Sequence, residues 1–281
     1  MLRDLFRDGG RSLTELLDAA FRLYRLRFGK LVLISALFTI IALLFAFPGI
    51  LAPESDIANI LSFGGQIATF IAGITLLVYA LGALADLELT IGQSVGGAMG
   101  RFWSYFGMGI LVALAIGGIM LPAAFISFAF FPLALLAIPI TFAAIVFLAV
   151  RWIVGGVAVV AERAGPTEAL GRSWGLTDGL FWRSAVYSIL LGLLSFVFFY
   201  VPLLIVGFAA VFVPPEWAEI VRIGSSLAAY LFSIFWMPFN AIAMALYYYD
   251  LRVRKENLDL ELRVQAIAEQ DTNVAQPEAM Q

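Results

Sequence analysis

Cysteine and histidine are both absent from this 281-residue sequence, and their absence removes several kinds of chemistry. Without cysteine there is no disulfide bond, no thiolate nucleophile and no cysteine metal site. Without histidine the chain lacks the commonest metal ligand and the commonest general base. No phosphate-binding loop or nucleophile elbow takes their place, so we expect no cofactor, no bound metal and no enzymatic activity.

Charged residues are also scarce, at 13% of the sequence, against about 25% in soluble domains. Apolar residues make up 62%, and the charges are bunched, which leaves long stretches with none. The net charge of −3 argues against nucleic acid as a partner. The composition therefore indicates an integral membrane protein rather than a soluble domain.

Five uncharged runs are long enough to cross a bilayer, whose ~30 Å hydrocarbon core needs about 20 apolar residues in a helix. The longest, from Phe102 to Val150, has a break at Phe131-Pro132, where proline favours a tight connection between two helices. The first span should remain as an anchor, because no small-x-small cleavage site follows it. We predict an all-helical protein with six transmembrane helices, at about 31–51, 65–86, 106–130, 133–153, 184–212 and 223–248.

The basic residues predict the orientation, because they are retained on the cytoplasmic side. Of the 17 Lys and Arg residues, only Arg222 falls on the opposite face of the predicted topology. Arg3 and Arg7 precede the first span, and Arg263 follows the last one. We predict a multi-pass protein of the cell inner or plasma membrane with both termini in the cytoplasm.

The segments that precede the first, third and fifth spans share a pattern. Ser12–Arg27 opens with a Ser-x-x-Glu capping box and has apolar residues at helical spacing. Pro166–Leu180 repeats the order of its Glu, Leu and aromatic residues, and Ile91–Tyr105 is a degenerate, Gly-rich copy. Each segment leads into a phenylalanine, and the three are nearly evenly spaced: Phe28, Phe106 and Phe181.

We therefore predict three repeats within one membrane domain at 1–265, each an amphipathic in-plane helix followed by a helical hairpin. The units lie at about 12–87, 88–153 and 166–249. The alternative is coincidence, because amphipathic helices before spans are common. Residues 266–281 are polar and are predicted to be a disordered cytoplasmic tail.

The predicted spans contain almost no ionisable residue, which argues against a proton-coupled or sodium-coupled pump. Asn240 is polar and lies well inside a span, two positions after Pro238. Its amide either bridges two helices by hydrogen bonds, which we favour, or lines a cavity between proline-bent helices. Gly109, Ala113 and Gly117 form a small-xxx-small face that predicts close helix packing.

Most of the remaining polar features lie at the predicted cytoplasmic rim, where basic and aromatic residues can bind anionic lipid or a protein partner. This favours a non-enzymatic membrane scaffold or accessory subunit. The candidate lipid-binding or partner-binding residues are Arg22, Arg25, Arg101, Arg172, Trp174, Arg183, Arg252 and Arg254.

Two other functions stay open. A transporter or channel for a lipid-like or apolar solute would use a cavity near Asn240. An enzyme acting on lipid would need acidic residues that converge at one membrane face. Asp86 and Glu88 could instead pair with basic residues of a neighbouring in-plane helix, or simply be solvated. The acidic candidates are Asp86, Glu88, Glu162 and Asp178.

Three stretches resemble the glycerophosphoryl diester phosphodiesterase membrane-domain family. They are the opening Leu16–Tyr24, the central Glu162–Trp174 with Phe181-Trp182-Arg183, and Pro238 followed by Tyr248–Glu256 and Leu258–Leu262. Where the family often has glycine this sequence has Asn257, a change that a helix C-terminus tolerates. The resemblance implies a membrane module that elsewhere is fused to a barrel-like catalytic domain with His and acidic metal ligands. Because this sequence has no His, the resemblance transfers no activity.

Overall fold

The computed structural model describes residues 5–6, 9–260 and 264, and among these it contains helices and no strand. Arg3, Arg7 and Arg263, which contribute to the predicted orientation, lie outside the described residues. So does the predicted tail at 266–281.

Three short helices alternate with pairs of long ones. The short helices, which we name the rim helices, are α1 (Leu13–Leu26), α4 (Ile91–Met99) and α8 (Pro166–Thr177). The long helices are α2 (Phe28–Leu51), α3 (Asp56–Leu84), α5 (Phe102–Ala129), α6 (Phe131–Arg151), α9 (Phe181–Ser195) and α11 (Ala218–Glu256). Short pieces extend two of them: α7 (Gly155–Ala161) follows α6, and a π-helical turn (Phe196–Tyr200) joins α9 to α10 (Val201–Ala210).

Within the described residues, six helical segments are long and apolar enough to cross a membrane, which confirms the predicted all-helical fold and the number of spans. The third and fourth segments are separated at Phe130, where the proline at position 132 predicted a break. The second span begins at Asp56 instead of near residue 65, because the Ser55 hydroxyl caps the helix by accepting from the Ala58 amide at 3.4 Å. The molecule is a multi-pass membrane protein.

The three rim helices begin with the same hydrogen bond, in which the N-cap amide donates to a side chain three residues later. The middle pair was not predicted, because the sequence comparison started at Ile91, one residue too late. The donor–acceptor distances are 2.8 Å from Ser12 to Glu15, 2.8 Å from Thr90 to Gln93 and 3.1 Å from Gly165 to Glu168.

The middle rim helix is shorter than the others, with nine residues against 14 in α1 and 12 in α8. Because its second half is rich in glycine, it ends at Met99, and the next span begins at Phe102, one turn before Phe106. The prediction that the middle segment runs to Tyr105 is therefore wrong.

The residue before each of these spans has nearly the same backbone conformation. Its φ and ψ are −111° and 16° at Arg27, −111° and −6° at Arg101, and −116° and 20° at Leu180. The shared geometry agrees with three related units, and the repeat itself stays a prediction.

The return helix of each pair is followed closely by a non-glycine residue with a positive φ. The values are 58° at Asp86, 60° at Arg163 and 54° at Asn257. Asn257 is the C-cap of α11 in the left-handed conformation, so the predicted tolerance of asparagine at this helix end is confirmed. Left-handed residues reverse the chain where the last carbonyl groups of a helix need new partners.

The buried core lies at the end of the bundle that carries the rim helices. It consists mainly of Ile74–Leu84 in α3, Val157–Val160 in α7 and Ala241–Leu251 in α11, together with one face of α1. Helix α5, by contrast, has no buried residue. Hydrocarbon chains are as apolar as a leucine side chain, so exposed apolar residues on such a helix are stable in a bilayer.

The close helix contact is not at the predicted place. A methyl group added to Gly109 or Gly117 would meet no neighbouring atom within 4 Å, so the prediction of tight packing there is wrong. A methyl group added to Gly65 would instead lie 2.7 Å from the backbone oxygen of Ala42. Helices α2 and α3 therefore approach most closely around Gly65.

We predict that Gly65→Ala destabilises the protein by about 1–3 kcal/mol, because a backbone atom cannot move aside as a side chain can. Unfolding of the purified protein in mixed micelles measures the change. Gly73→Ala in the same helix is the matched control, since its added methyl group meets nothing within 4 Å. Equal stability of the two variants would contradict the close contact.

Candidate functional site

Charged side chains in the C-terminal part of α11 form hydrogen bonds with other segments of the chain. The most buried of them is Asp250. The Asp250 side chain is 0% exposed, and three groups donate to its carboxylate. They are the Arg11 backbone amide at 2.8 Å, the Arg183 guanidinium at 2.7 Å and the Arg254 guanidinium at 3.0 Å. Several charge-assisted hydrogen bonds compensate the desolvation of a buried carboxylate.

The same two arginines also fix the segment that leads into α1. Arg183 and Arg254 both donate to the backbone oxygen of Arg11, the latter at 2.8 Å. We name Arg11, Arg183, Asp250 and Arg254 the Asp250 cluster. It joins the entry of α1, the first turn of α9 and the end of α11.

A second charge cluster, named the Glu162 cluster, joins α8 to the end of α11. Arg172 donates to both carboxylate oxygens of Glu162, at 2.9 and 2.8 Å, and also to Glu256. Arg252 donates to Glu256 at 2.8 Å, and the Tyr248 hydroxyl donates to Glu162. The hydrogen bond with Glu256 raises the pKa of Arg172, which stays charged.

Three further ion pairs lie at the same end of the bundle. Glu88 pairs with Arg27 and, at 3.0 Å, with Lys30, which is one of the two arrangements expected for this residue. Arg27 holds the pKa of the Glu88 carboxyl below its usual value. Asp178 pairs with Arg151 at 3.2 Å.

Arg151 also contacts the ring of Trp174, one of the candidate binding residues. Its guanidinium carbon lies 4.9 Å from the centre of the Trp174 ring and 5.4 Å from that of Phe147. This is cation–π distance, so Trp174 forms part of an internal contact.

Three of the four carboxylates proposed for an enzymatic site therefore have separate basic partners. Glu88 pairs with Arg27, Glu162 with Arg172 and Asp178 with Arg151. Among the residues that the structure describes, there is no group of three or more metal-binding side chains. These three carboxylates are therefore held in ion pairs with different arginines.

The candidate basic residues divide into two groups. Four belong to the clusters above, namely Arg172, Arg183, Arg252 and Arg254. Three have no carboxylate partner among the described residues, namely Arg22, Arg25 and Arg101.

Arg101 differs from Arg22 and Arg25 in having a buried side-chain donor without a hydrogen-bond partner among the described residues. Its Nε atom is buried and has no hydrogen-bond partner within the described part of the chain. Burial, and then the nearby Arg163, lower the pKa of the Arg101 guanidinium. An anion near this position would reduce the repulsion between the two positive charges.

Asn240 lines a cavity of about 560 Å³ between α3, α5, α7 and α11. Tyr105, Trp152, Met108 and Met237 are among the other residues of the wall. Within the described residues the Asn240 amide has no hydrogen-bond partner, so the favoured prediction of a bridge between two helices is wrong. Asn240 is a residue of the cavity wall, and a role for it in that cavity stays a prediction.

Gln66 is a polar residue that the sequence prediction missed. It lines a second pocket of about 220 Å³ between α2, α3 and α11, with Thr39, Thr69, Tyr230 and Ser233. The predicted span began at residue 65, which placed Gln66 at the membrane edge, whereas α3 begins at Asp56. Ser55 as a helix cap was the available signal.

We predict that Asp250→Asn destabilises the protein by about 3–5 kcal/mol, because it removes a buried carboxylate that is the shared counter-charge of two partly exposed arginines. Glu219→Gln is the control, since it removes the same charge from an exposed pair with Arg222 and should change stability little. Thermal unfolding in detergent measures both. Equal effects would mean that the Asp250 carboxylate is not needed to balance the charge of the neighbouring arginines.

The comparisons with known proteins give one match. Residues 106–274 match a protein-family model described as the membrane domain of glycerophosphoryl diester phosphodiesterase. No curated protein and no solved structure matches the chain. The matched region is more than half of the sequence, and it contains Glu162, Arg172, Arg183 and Asp250 of the two charge clusters. The chain belongs to the family of glycerophosphoryl diester phosphodiesterase membrane domains.

Proposed function

We propose that this membrane protein is a non-enzymatic scaffold or accessory subunit that binds anionic lipid headgroups at its cytoplasmic face. The distribution of basic residues supports the assignment of the rim-helix end to the cytoplasm. The separate pairing of Glu88, Glu162 and Asp178 supports a role without catalysis.

The observation that carries the proposal is the unpaired Nε of Arg101 beside Arg163. A lipid phosphate near Arg101 and Arg163 would interact favourably with both positive charges, and charge-assisted hydrogen bonds are stronger than neutral ones. Arg22 and Arg25, both exposed on α1, extend the basic surface. A polybasic surface gains about 1 kcal/mol per basic residue near an anionic membrane.

Two tryptophans support a headgroup location for this surface. Trp103 and Trp182 are 75% and 79% exposed, and each lies in the first turn of a span. Tryptophan is enriched at the membrane interface because its ring is apolar and its N–H can still reach water or headgroups. The neighbouring rim helices then lie at headgroup depth.

We predict that Arg101→Gln weakens the binding of phosphatidylglycerol about fivefold, which corresponds to the loss of one basic residue near the lipid phosphate. Native mass spectrometry of protein released from nanodiscs, with phosphatidylglycerol titrated against phosphatidylcholine, measures the retained lipid. The same experiment reports a copurified protein, which would favour partner binding.

Arg222→Gln is the matched control, because it removes the same charge at the opposite end of α11. Arg222 pairs with Glu219 and should not affect lipid retention at the cytoplasmic face. Equal lipid retention by the wild type and Arg101→Gln would contradict the proposal.

The cavity beside Asn240 supports a second candidate function, transport of a lipid-like or apolar solute. Its volume of about 560 Å³ falls within the usual range for small-molecule sites. An apolar wall with a few polar groups is typical of such sites. Asn240 and the Tyr105 hydroxyl are polar groups on this wall.

We predict that, if transport occurs, Gly73→Leu abolishes it, because Gly73 lines the cavity and a larger side chain would fill it. Fluorescent lipid analogues in proteoliposomes, quenched from outside, measure the transfer. Gly192→Leu adds the same volume to an exposed position and is the control. Transfer by Gly73→Leu at the wild-type rate would exclude this cavity as the pathway.

A further inference from the structure

The pocket that contains Gln66 lies away from the charged rim and near the middle of the membrane. Thr39 follows the start of α2 by 11 residues, and Gln66 follows the start of α3, at the opposite end of the bundle, by ten. At 1.5 Å per residue these positions are about 17 Å and about 15 Å from the respective helix starts. A hydrocarbon core is ~30 Å thick, so both residues are close to its centre.

Three helices each contribute an unpaired hydrogen-bonding group to this pocket. Within the described residues, the Thr39 hydroxyl, the Gln66 amide and the Tyr230 hydroxyl have no hydrogen-bond partner. The other two hydroxyls do: Thr69 donates to the Gly65 backbone at 3.0 Å and Ser233 to the Tyr230 backbone at 2.6 Å. Unpaired polar groups are costly in the hydrocarbon region, so three of them converging on one pocket indicate a ligand.

The lining residues determine the charge of that ligand. In the part of the chain that the structure describes, no Asp, Glu, Lys or Arg lines the pocket. A phosphate or ammonium group there would lose its hydration without gaining a counter-charge, which is highly unfavourable at this depth. The ligand should therefore be uncharged and able both to donate and to accept hydrogen bonds.

The pocket is accessible from the side of the bundle. Gln66 is exposed, and the flanking Phe63 and Ile67 are 66% and 41% exposed. A molecule within the bilayer can reach the polar groups without crossing the charged rim. The volume of about 220 Å³ is too small for a whole lipid and suits only its polar part.

We propose that this pocket binds an uncharged glycerolipid, with diacylglycerol as the simplest form. The Gln66 amide and the Tyr230 hydroxyl donate to its ester carbonyl groups, and Thr39 accepts from its free hydroxyl. The acyl chains lie in the bilayer along Phe63 and Ile67. The site is separate from the anionic-lipid surface at Arg101, because it requires a ligand without charge.

Photolabelling of the full-length protein in phosphatidylcholine nanodiscs tests the proposal. The probe is diacylglycerol with a diazirine in one acyl chain, and the labelled peptides are identified by mass spectrometry. We expect labels on peptides of α2, α3 and α11. Unlabelled diacylglycerol should compete with the probe, and phosphatidylglycerol should not.

Gln66→Leu and Tyr230→Phe should each weaken diacylglycerol binding about fivefold, the usual effect of losing one hydrogen bond. Both variants should fold, because the groups removed have no hydrogen-bond partner in the described part of the chain. Asn240→Leu in the neighbouring cavity is the control and should bind as the wild type does. Diacylglycerol should also raise the Tm of the wild type and of Asn240→Leu, and should do so much less in Gln66→Leu.

Three results would overturn the proposal. They are equal labelling of Gln66→Leu and the wild type, equal competition by phosphatidylglycerol, or crosslinks from the pocket to a second copy of the chain in place of the lipid. Arg101→Gln separates the two lipid sites, because it should reduce phosphatidylglycerol retention and leave diacylglycerol labelling unchanged.

Discussion

The buried carboxylate of Asp250 is the contact that the rim of the protein depends on. It lies in the core beside apolar residues of α11, yet it binds a backbone amide before α1 and a guanidinium at the start of α9. Buried charges of this kind fix geometry more than they add stability, because any misplacement leaves a charge unpaired. The Glu162 cluster acts in the same way on α8. Two of the three rim helices are thus positioned by side chains of the last span.

These ion pairs also decide which arginines can interact with other molecules. Arg172 and Arg183 are as basic in sequence as Arg22 and Arg25, but their donors are already used inside the protein. A charge reversal at Arg172 or Arg183 would disrupt the helix junctions, so a loss of lipid or partner binding in such a variant would not identify a binding surface. Substitutions at residues without a carboxylate partner are the informative ones.

The sequence was a good predictor where physical rules act locally. The length of the uncharged runs predicted the six spans, and the proline at position 132 predicted the break between the third and fourth spans. Ser12 with Glu15 predicted the start of α1. It was a poor predictor of contacts between helices. The face around Gly109 has the small residues of a packing motif, but a methyl group added there would meet no atom within 4 Å, whereas one added to Gly65 would lie 2.7 Å from the Ala42 backbone oxygen.

Only part of the candidate site was predicted, because the sequence does not show the contacts between helices. A run of basic residues indicates the membrane face, but whether each arginine is paired depends on residues distant in sequence, as with Arg172 and Glu256. Asn240 was recognised as polar, and only the arrangement of four helices shows that it lines a cavity. Gln66 was overlooked because a boundary error of nine residues moved it to the membrane edge.

The contact between Arg11 and Asp250 has a consequence for how the protein is made. The two residues are separated by 239 positions in the chain, so the first rim helix is synthesised long before the carboxylate that anchors it. During membrane insertion α1 can rest at the interface on its own apolar face, but its final position must wait for α11. Completion of the rim is therefore a late step of biogenesis, and a nascent chain interrupted before the last span would keep Arg183 without its counter-charge. Such intermediates are suitable substrates for membrane chaperones and proteases.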